Sequence, residues 1–168
     1  LKEKGLKTCK DSLFNYLDYL EDVNFIIPIS IFSYSSKKQI LNPKKVYLID
    51  NGLITANSFQ FSTNKGKYLE NLVLLELIRR NYQVFYYLDK VECDFIFKQK
   101  NDKNWQAIQV SFELAEKNKK RELNGLIKAM NELKIKNGLI LTLENKDDLN
   151  FQSKKIKILP VWEWLLAK

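Results

Sequence analysis

From Gly66 to Leu77 the chain reads Gly-Lys-Tyr-Leu-Glu-Asn-Leu-Val-Leu-Leu-Glu-Leu, with apolar residues at helical spacing. At about 100° per residue, the neighbours of Glu70 on its own face are Gly66, Val73, Leu74 and Leu77. Glu70 therefore has no local partner, whereas Glu76 lies on the far side with Arg79 and Arg80 at the spacings of helical ion pairs. Two strand patterns follow. In the first, Val91, Cys93, Phe95 and Phe97 alternate with Glu92, Asp94, Ile96 and Lys98. In the second, Ile108, Val110 and Phe112 share one face and Gln109 and Ser111 the other. Lys100-Asn101-Asp102-Lys103 reads as the turn between them, and a turn centred on Asn101-Asp102 sets Asp94 opposite Gln109 and Glu92 opposite Ser111. A slip of one residue would break that register.

The rest of the pattern is more conventional. Thr8-Cys9-Lys10-Asp11 has the spacing of a capping box ahead of a helix marked by Leu13, Phe14, Tyr16, Leu17 and Leu20. Strand-like residues run from Phe25 to Phe32, interrupted by Pro28, and lead into a basic loop, Ser35-Ser36-Lys37-Lys38. Asn42-Pro43 marks a turn before the strand Lys45 to Asp50, which Asn51-Gly52 closes. A helix followed by a two-stranded hairpin is the layout of the back half of a winged helix. A helix from Glu116 to Leu133 carries the stripe Leu123, Leu126, Ile127, Met130 and Leu133. Gly138 to Leu143 suits a buried parallel strand, and Asn145 to Asn150 a polar loop. Ile156 to Leu159 forms a strand ended by Pro160, and Trp162 to Leu166 a closing apolar helix whose two tryptophans pack the core.

Composition narrows the chemistry. The 168 residues suit one medium α/β domain with an appendage. A formal charge of +8, from 28 basic and 20 acidic residues, points to a polyanionic partner; Lys37, Lys38, Lys117, Lys119, Lys120 and Arg121 are the candidate nucleic-acid contacts, and Lys44-Lys45 is a further basic cluster suited to backbone contact. Without histidine, and with Cys9 and Cys93 far apart, imidazole acid–base chemistry is excluded and a typical zinc site has no ligand set. No signal peptide or long apolar run is present, so a reducing cytoplasm and no membrane partner are expected. The chain begins at Leu1 rather than at a methionine, which reads as a cut inside a larger protein.

A helix acid, a strand acid and a polar-x-polar pair on the next strand resemble the PD-(D/E)XK, or restriction-endonuclease-like, nuclease fold. The resemblance implies a mixed central sheet flanked by helices over residues 51–168, behind a partial winged-helix segment and linking strand over 1–50. It also implies Mg²⁺ held by Glu70, Asp94 and Gln109, with Ser111 in the position of the family's lysine. Both of the last two depart from the pattern: Gln109 stands where an acid should be, and Ser111 supplies no cation. Lys98, Lys117, Lys119 or Lys120 could deliver a relocated ammonium.

The ordered set Asp18-Tyr19-Leu20-Glu21-Asp22, Lys44 to Leu53, Gly66 to Asn71, Glu92 to Ile96, Ile108-Gln109-Val110 and Arg121-Glu122-Leu123 resembles a family of archaeal and bacterial AAA+ ATPases. In those proteins an ATP-binding module precedes a winged helix and a nuclease-like domain. No phosphate-binding Gly-x-x-x-x-Gly-Lys-Ser/Thr loop occurs here, so any ATP site is expected upstream of Leu1. Asp50 has a turn-forming reading beside a functional one, and Arg121 is either a solvated charge or a phosphate contact. Two functions stay open: a non-catalytic or weakened nucleic-acid-binding module, and an active Mg²⁺-dependent DNA endonuclease.

Overall fold

A computed structural model describes residues 10–57 and 65–167. Thr8 and Cys9, and with them the start of the expected capping box, lie outside these residues. In chain order the elements are α1 (Lys10–Asp22), β1 (Ile26–Ile29), α2 (Ser36–Leu41), β2 (Lys45–Leu48), α3 (Asn51–Asn57), α4 (Lys65–Arg79), β3 (Tyr82–Leu88), β4 (Glu92–Gln99), β5 (Gln106–Val110), α5 (Glu116–Glu132), β6 (Asn137–Thr142), β7 (Asp147–Phe151), β8 (Lys154–Pro160) and α6 (Val161–Leu166).

The chain is α/β. Six of the described strands form one mixed sheet in the order β3-β4-β5-β6-β8-β7. β3, β4 and β5 are an antiparallel meander, β6 lies parallel to both β5 and β8, and β7 closes the far edge antiparallel to β8. The apolar faces read from the sequence explain the layers. Leu69, Val73, Leu74 and Leu77 of α4 pack with Phe95, Phe97, Ile108 and Val110 on one face. Leu126, Ile127, Ala129 and Met130 of α5 pack with Ile96, Ala107, Ile140, Ile156 and Ile158 on the other. Each fully buried large aliphatic contributes about 1.5–3 kcal/mol through the water it sheds.

The ladder Phe95↔Ile108, Ile96↔Ala107 and Phe97↔Gln106 has the expected register, and beyond its end the Asp94 N–H donates to the Gln109 side-chain carbonyl. The simple alternation of β4, however, fails at its acidic end. β3 pairs Phe85 with Ile96 and Tyr87 with Cys93, so Asp94 and Phe95 together oppose Tyr86. This bulge puts Cys93 with Ile96 on the α5 side, while Phe95 and Phe97 face α4.

Four local expectations are corrected. Ser35 to Lys38 is not a loop: Ser35 accepts the Lys38 N–H as an N-cap and starts α2. Asn51-Gly52 opens α3 rather than a turn, with Asp50 Oδ1 accepting the Gly52 N–H, which is the side-chain-to-backbone role of Asp50. The polar loop at Asn145 to Asn150 is largely strand β7, turned into β8 by Gln152 and Ser153, both at positive φ. Trp164 packs against the α4-side core, but Trp162 is 55% exposed.

The segment before α4 is fastened to the sheet. β1 and β2 form an antiparallel pair, Ile26↔Leu48 to Ile29↔Lys45. Beyond β1, Ile31 bridges Tyr86 in parallel, the Phe32 N–H donates to the Tyr86 carbonyl at 2.6 Å, and the Tyr86 N–H donates to the Ser30 carbonyl at 3.1 Å. Buried Asn71 of α4 clasps β2, accepting the Leu48 N–H at 2.9 Å and donating to the Leu48 carbonyl at 3.0 Å. These contacts decide where Lys45 goes.

Candidate functional site

A cleft of about 820 Å³ opens where β4 and β5 meet α4 and α5. Glu70 reaches it from α4, Glu92 and Asp94 from β4, Gln109 and Ser111 from β5, and Glu122 from α5. The bulge in β4 delivers Asp94, which is 7% exposed, to the cleft floor.

The structure brings Glu70 and Asp94 together around Lys45, which the sequence offered only as half of a basic cluster. The Lys45 ammonium lies 3.1 Å from Glu70 Oε1 and 3.4 Å from Asp94 Oδ1, and also pairs with Glu92 Oε1. The Tyr47 hydroxyl donates to Glu70 Oε1 at 2.6 Å, and the Val110 N–H donates to Asp94 Oδ2 at 2.9 Å. Burial pushes the Asp94 carboxyl up to about 7, helped by the Glu70 charge and opposed by Lys45 and the Val110 N–H. At Lys45 burial opposes the charge, but Asp94 and Glu70, with Glu92, outweigh it and hold the ammonium above the usual lysine range. Burial, with Glu70 beside it, raises the Tyr47 phenol, which therefore stays a donor.

Gln109 and Ser111 are engaged elsewhere. The Gln109 carbonyl accepts the Asp94 N–H at 3.3 Å, and its amide donates to Glu122 Oε2 at 2.8 Å. Arg121 donates to the other Glu122 oxygen through Nη2 at 2.5 Å and Nε at 3.1 Å. The Ser111 hydroxyl donates to the Glu113 carbonyl at 2.9 Å and accepts from Asn118 Nδ2 at 3.3 Å.

The basic residues divide by location. Lys117 and Arg121 line the cleft, joined by Lys67 and Lys90. Lys119 and Lys120 lie on α5 outside the lining, and Lys37 and Lys38 are exposed on α2. Lys98 is at the opposite end of its strand, donating to the Asp102 carbonyl and standing over the Trp105 ring. Tyr47 and Glu122 were missed, and Lys45, expected with Lys44 to suit a phosphate backbone, pairs with the acids. Neither Lys45 nor Tyr47 carried a local sign of the acids, being far from β4 along the chain. Glu122 did carry one, since an acid at i−4 from Leu126 falls on the apolar stripe of α5.

Mg²⁺ demands near-octahedral ligation by oxygens, with carboxylate oxygens open to it. The carboxylate and amide oxygens here already accept from Lys45, Tyr47, Val110 and Asp94, and no three acids, cysteines or histidines among the described residues are arranged to hold a metal. In this arrangement the residues do not fit Mg²⁺.

No described helix is long and apolar enough to cross a membrane. Comparison with known proteins gives relatives without an assigned activity. An uncharacterized protein of Methanocaldococcus jannaschii is 36% identical over 99% of this chain, which spans 39% of that protein. One of Haemophilus influenzae is 30% identical over 69% of the chain, or 29% of its own length. No solved structure matches. Residues 65–164, the stretch from α4 to α6 that builds the sheet and most of the cleft, match the model of a domain of unknown function, DUF4143, and the chain belongs to that family.

Proposed function

We propose that this chain is a nucleic-acid-binding module on a PD-(D/E)XK restriction-endonuclease-like core, non-catalytic or weakened in cleavage, within a longer protein that carries an AAA+ ATP-binding module. The order α4-β3-β4-β5-α5-β6, with an antiparallel meander followed by a parallel strand, agrees with that core. The observation that carries the reading is the cleft itself. Glu70 and Asp94 meet at its floor, while Lys67, Lys90, Lys117 and Arg121 stand around it. Cations on the rim of a chain of charge +8 suit contact with a phosphate backbone, which positions a polynucleotide without reading its bases. Cleavage is weakened because Gln109 and Ser111 bring neither negative charge nor a cation. A missing preorganised charge of this kind costs about 10²–10³ in rate.

Anisotropy titration with duplex and single-stranded DNA and RNA tests the reading. Binding is expected to be indifferent to sequence, to weaken with salt by about 0.9 in log–log slope per phosphate on duplex DNA, and to drop when Lys67 and Lys117 are both changed to Glu. Salt-independent binding, or none at low ionic strength, removes nucleic acid as the partner.

One observation favours a second reading, that of an active endonuclease. Lys45 sets an ammonium 3.4 Å from Asp94, where Ser111 supplies none. Robust cleavage by the unmodified chain, abolished by Asp94→Ala, would establish it.

A further inference from the structure

We propose that Lys45 is the resident cation of the cleft: its ammonium is the charge that Glu70, Glu92 and Asp94 gather around, so the chain excludes a divalent ion there, and loss of Lys45 lets the three carboxylates rearrange to admit one. The inference rests on the nuclease-like reading for the kind of ion displaced, but its test requires no nucleic acid.

Three facts carry it. An ammonium has three N–H donors, and Lys45 meets three carboxylates, so donor capacity and acceptor number match. The lysine is delivered by a fixed strand: Lys45 pairs with Ile29 across the β1–β2 ladder, and Asn71 holds Leu48 by two hydrogen bonds. The Tyr86 hydroxyl also donates to the Pro43 carbonyl, just ahead of β2, and the Lys45 ammonium stands 5.7 Å from the centre of the Tyr86 ring. A dication entering beside Lys45 would meet like charge at close range. Removing Lys45 would leave Glu70, Glu92 and Asp94 without their common counter-charge, a state that the buried Asp94 tolerates poorly.

The test compares thermal unfolding of the unmodified chain, Lys45→Met and Lys45→Arg in Mg²⁺, Mn²⁺ or Ca²⁺ against NaCl of equal ionic strength. The unmodified chain and Lys45→Arg are expected to show no divalent-specific change in Tm. Lys45→Met should melt lower without metal and rise with the logarithm of metal concentration. Adding Asp94→Asn should abolish that rise. If Lys45→Met does not fold alone, recovery of its circular dichroism on adding a divalent salt is the expected result. A divalent-specific rise in the unmodified chain overturns the inference, and so does a Lys45→Met variant that no divalent ion stabilises or refolds. Either result leaves the nucleic-acid titration standing, and failure of that titration leaves this one standing.

Discussion

Glu70 and Glu76 lie on one helix, and their surroundings set them apart. Glu76 is satisfied within its own turn, with Arg79 and Arg80 at 2.7 and 2.6 Å, and the Arg79 hydrogen bond is the main force holding its carboxyl down to about 2 against the effect of burial. A carboxyl that binds its proton less tightly when folded contributes stability that is whole above its ordinary value of 4.5 and is lost as pH falls toward 2. Glu76→Gln is therefore expected to narrow its gap to the unmodified chain as pH drops from 5 to 2, where 5 and 2 are approximate limits, read by Tm across pH. A gap that stays constant would remove the ion pairs from the acid limb. Glu70, by contrast, depends on Lys45 and Tyr47, each more than twenty positions away. Its role was visible in the sequence only as an acid on an apolar face.

At the scale of elements, the approach of α5 to β4 turns on Gly125. A Cβ there would run into the Glu92 backbone carbonyl and come within 3.7 Å of Gln109 Oε1. Glycine inside a helix costs about 1 kcal/mol relative to alanine, so at an open position Gly125→Ala would stabilise. Here it is expected to destabilise by about 1–3 kcal/mol, because helix and strand must separate. Chemical denaturation gives the sign, and a stabilised variant would mean that α5 has room to spare. Separation would also shift Glu122 and Arg121 away from Gln109, so the same glycine seats the α5 side of the cleft.

For the whole molecule, the decisive feature is the fastening of the segment around β1 and β2 to the sheet. Asn71, 2% exposed, bonds the Leu48 N–H and carbonyl and also donates to Asn51 Oδ1. Asn71→Ala would leave these groups unpaired, at about 1–3 kcal/mol for each that water cannot reach. The expected outcome is a lower global stability together with faster amide exchange at Leu48. Unchanged exchange at Leu48 would show that the edge pairing through Ile31 and Phe32 holds the segment without Asn71.

The sequence by itself determined what is periodic or local. The helical stripes of α4 and α5, the β4–β5 turn and register, the buried parallel β6 and the Glu76 ion pairs all arise from residues a few positions apart. An acid at Glu70 and another at Asp94, on faces built for burial, also marked two residues that line the cleft. Short polar elements were hidden: α2 buries no residue and β7 turns only Leu149 toward the core, so neither shows an amphipathic period. Only the tertiary structure decided what answers the acids. The bulge at Asp94 and Phe95 breaks the alternation that a strand pattern assumes, and Gln109 of β5 turns to Glu122 of α5. Lys45 reaches Asp94 from 49 positions away because Ser30 to Phe32 and Asn71 fix β2 beside the sheet. Charge compensation over that separation is a property of packing, and no local pattern encodes it.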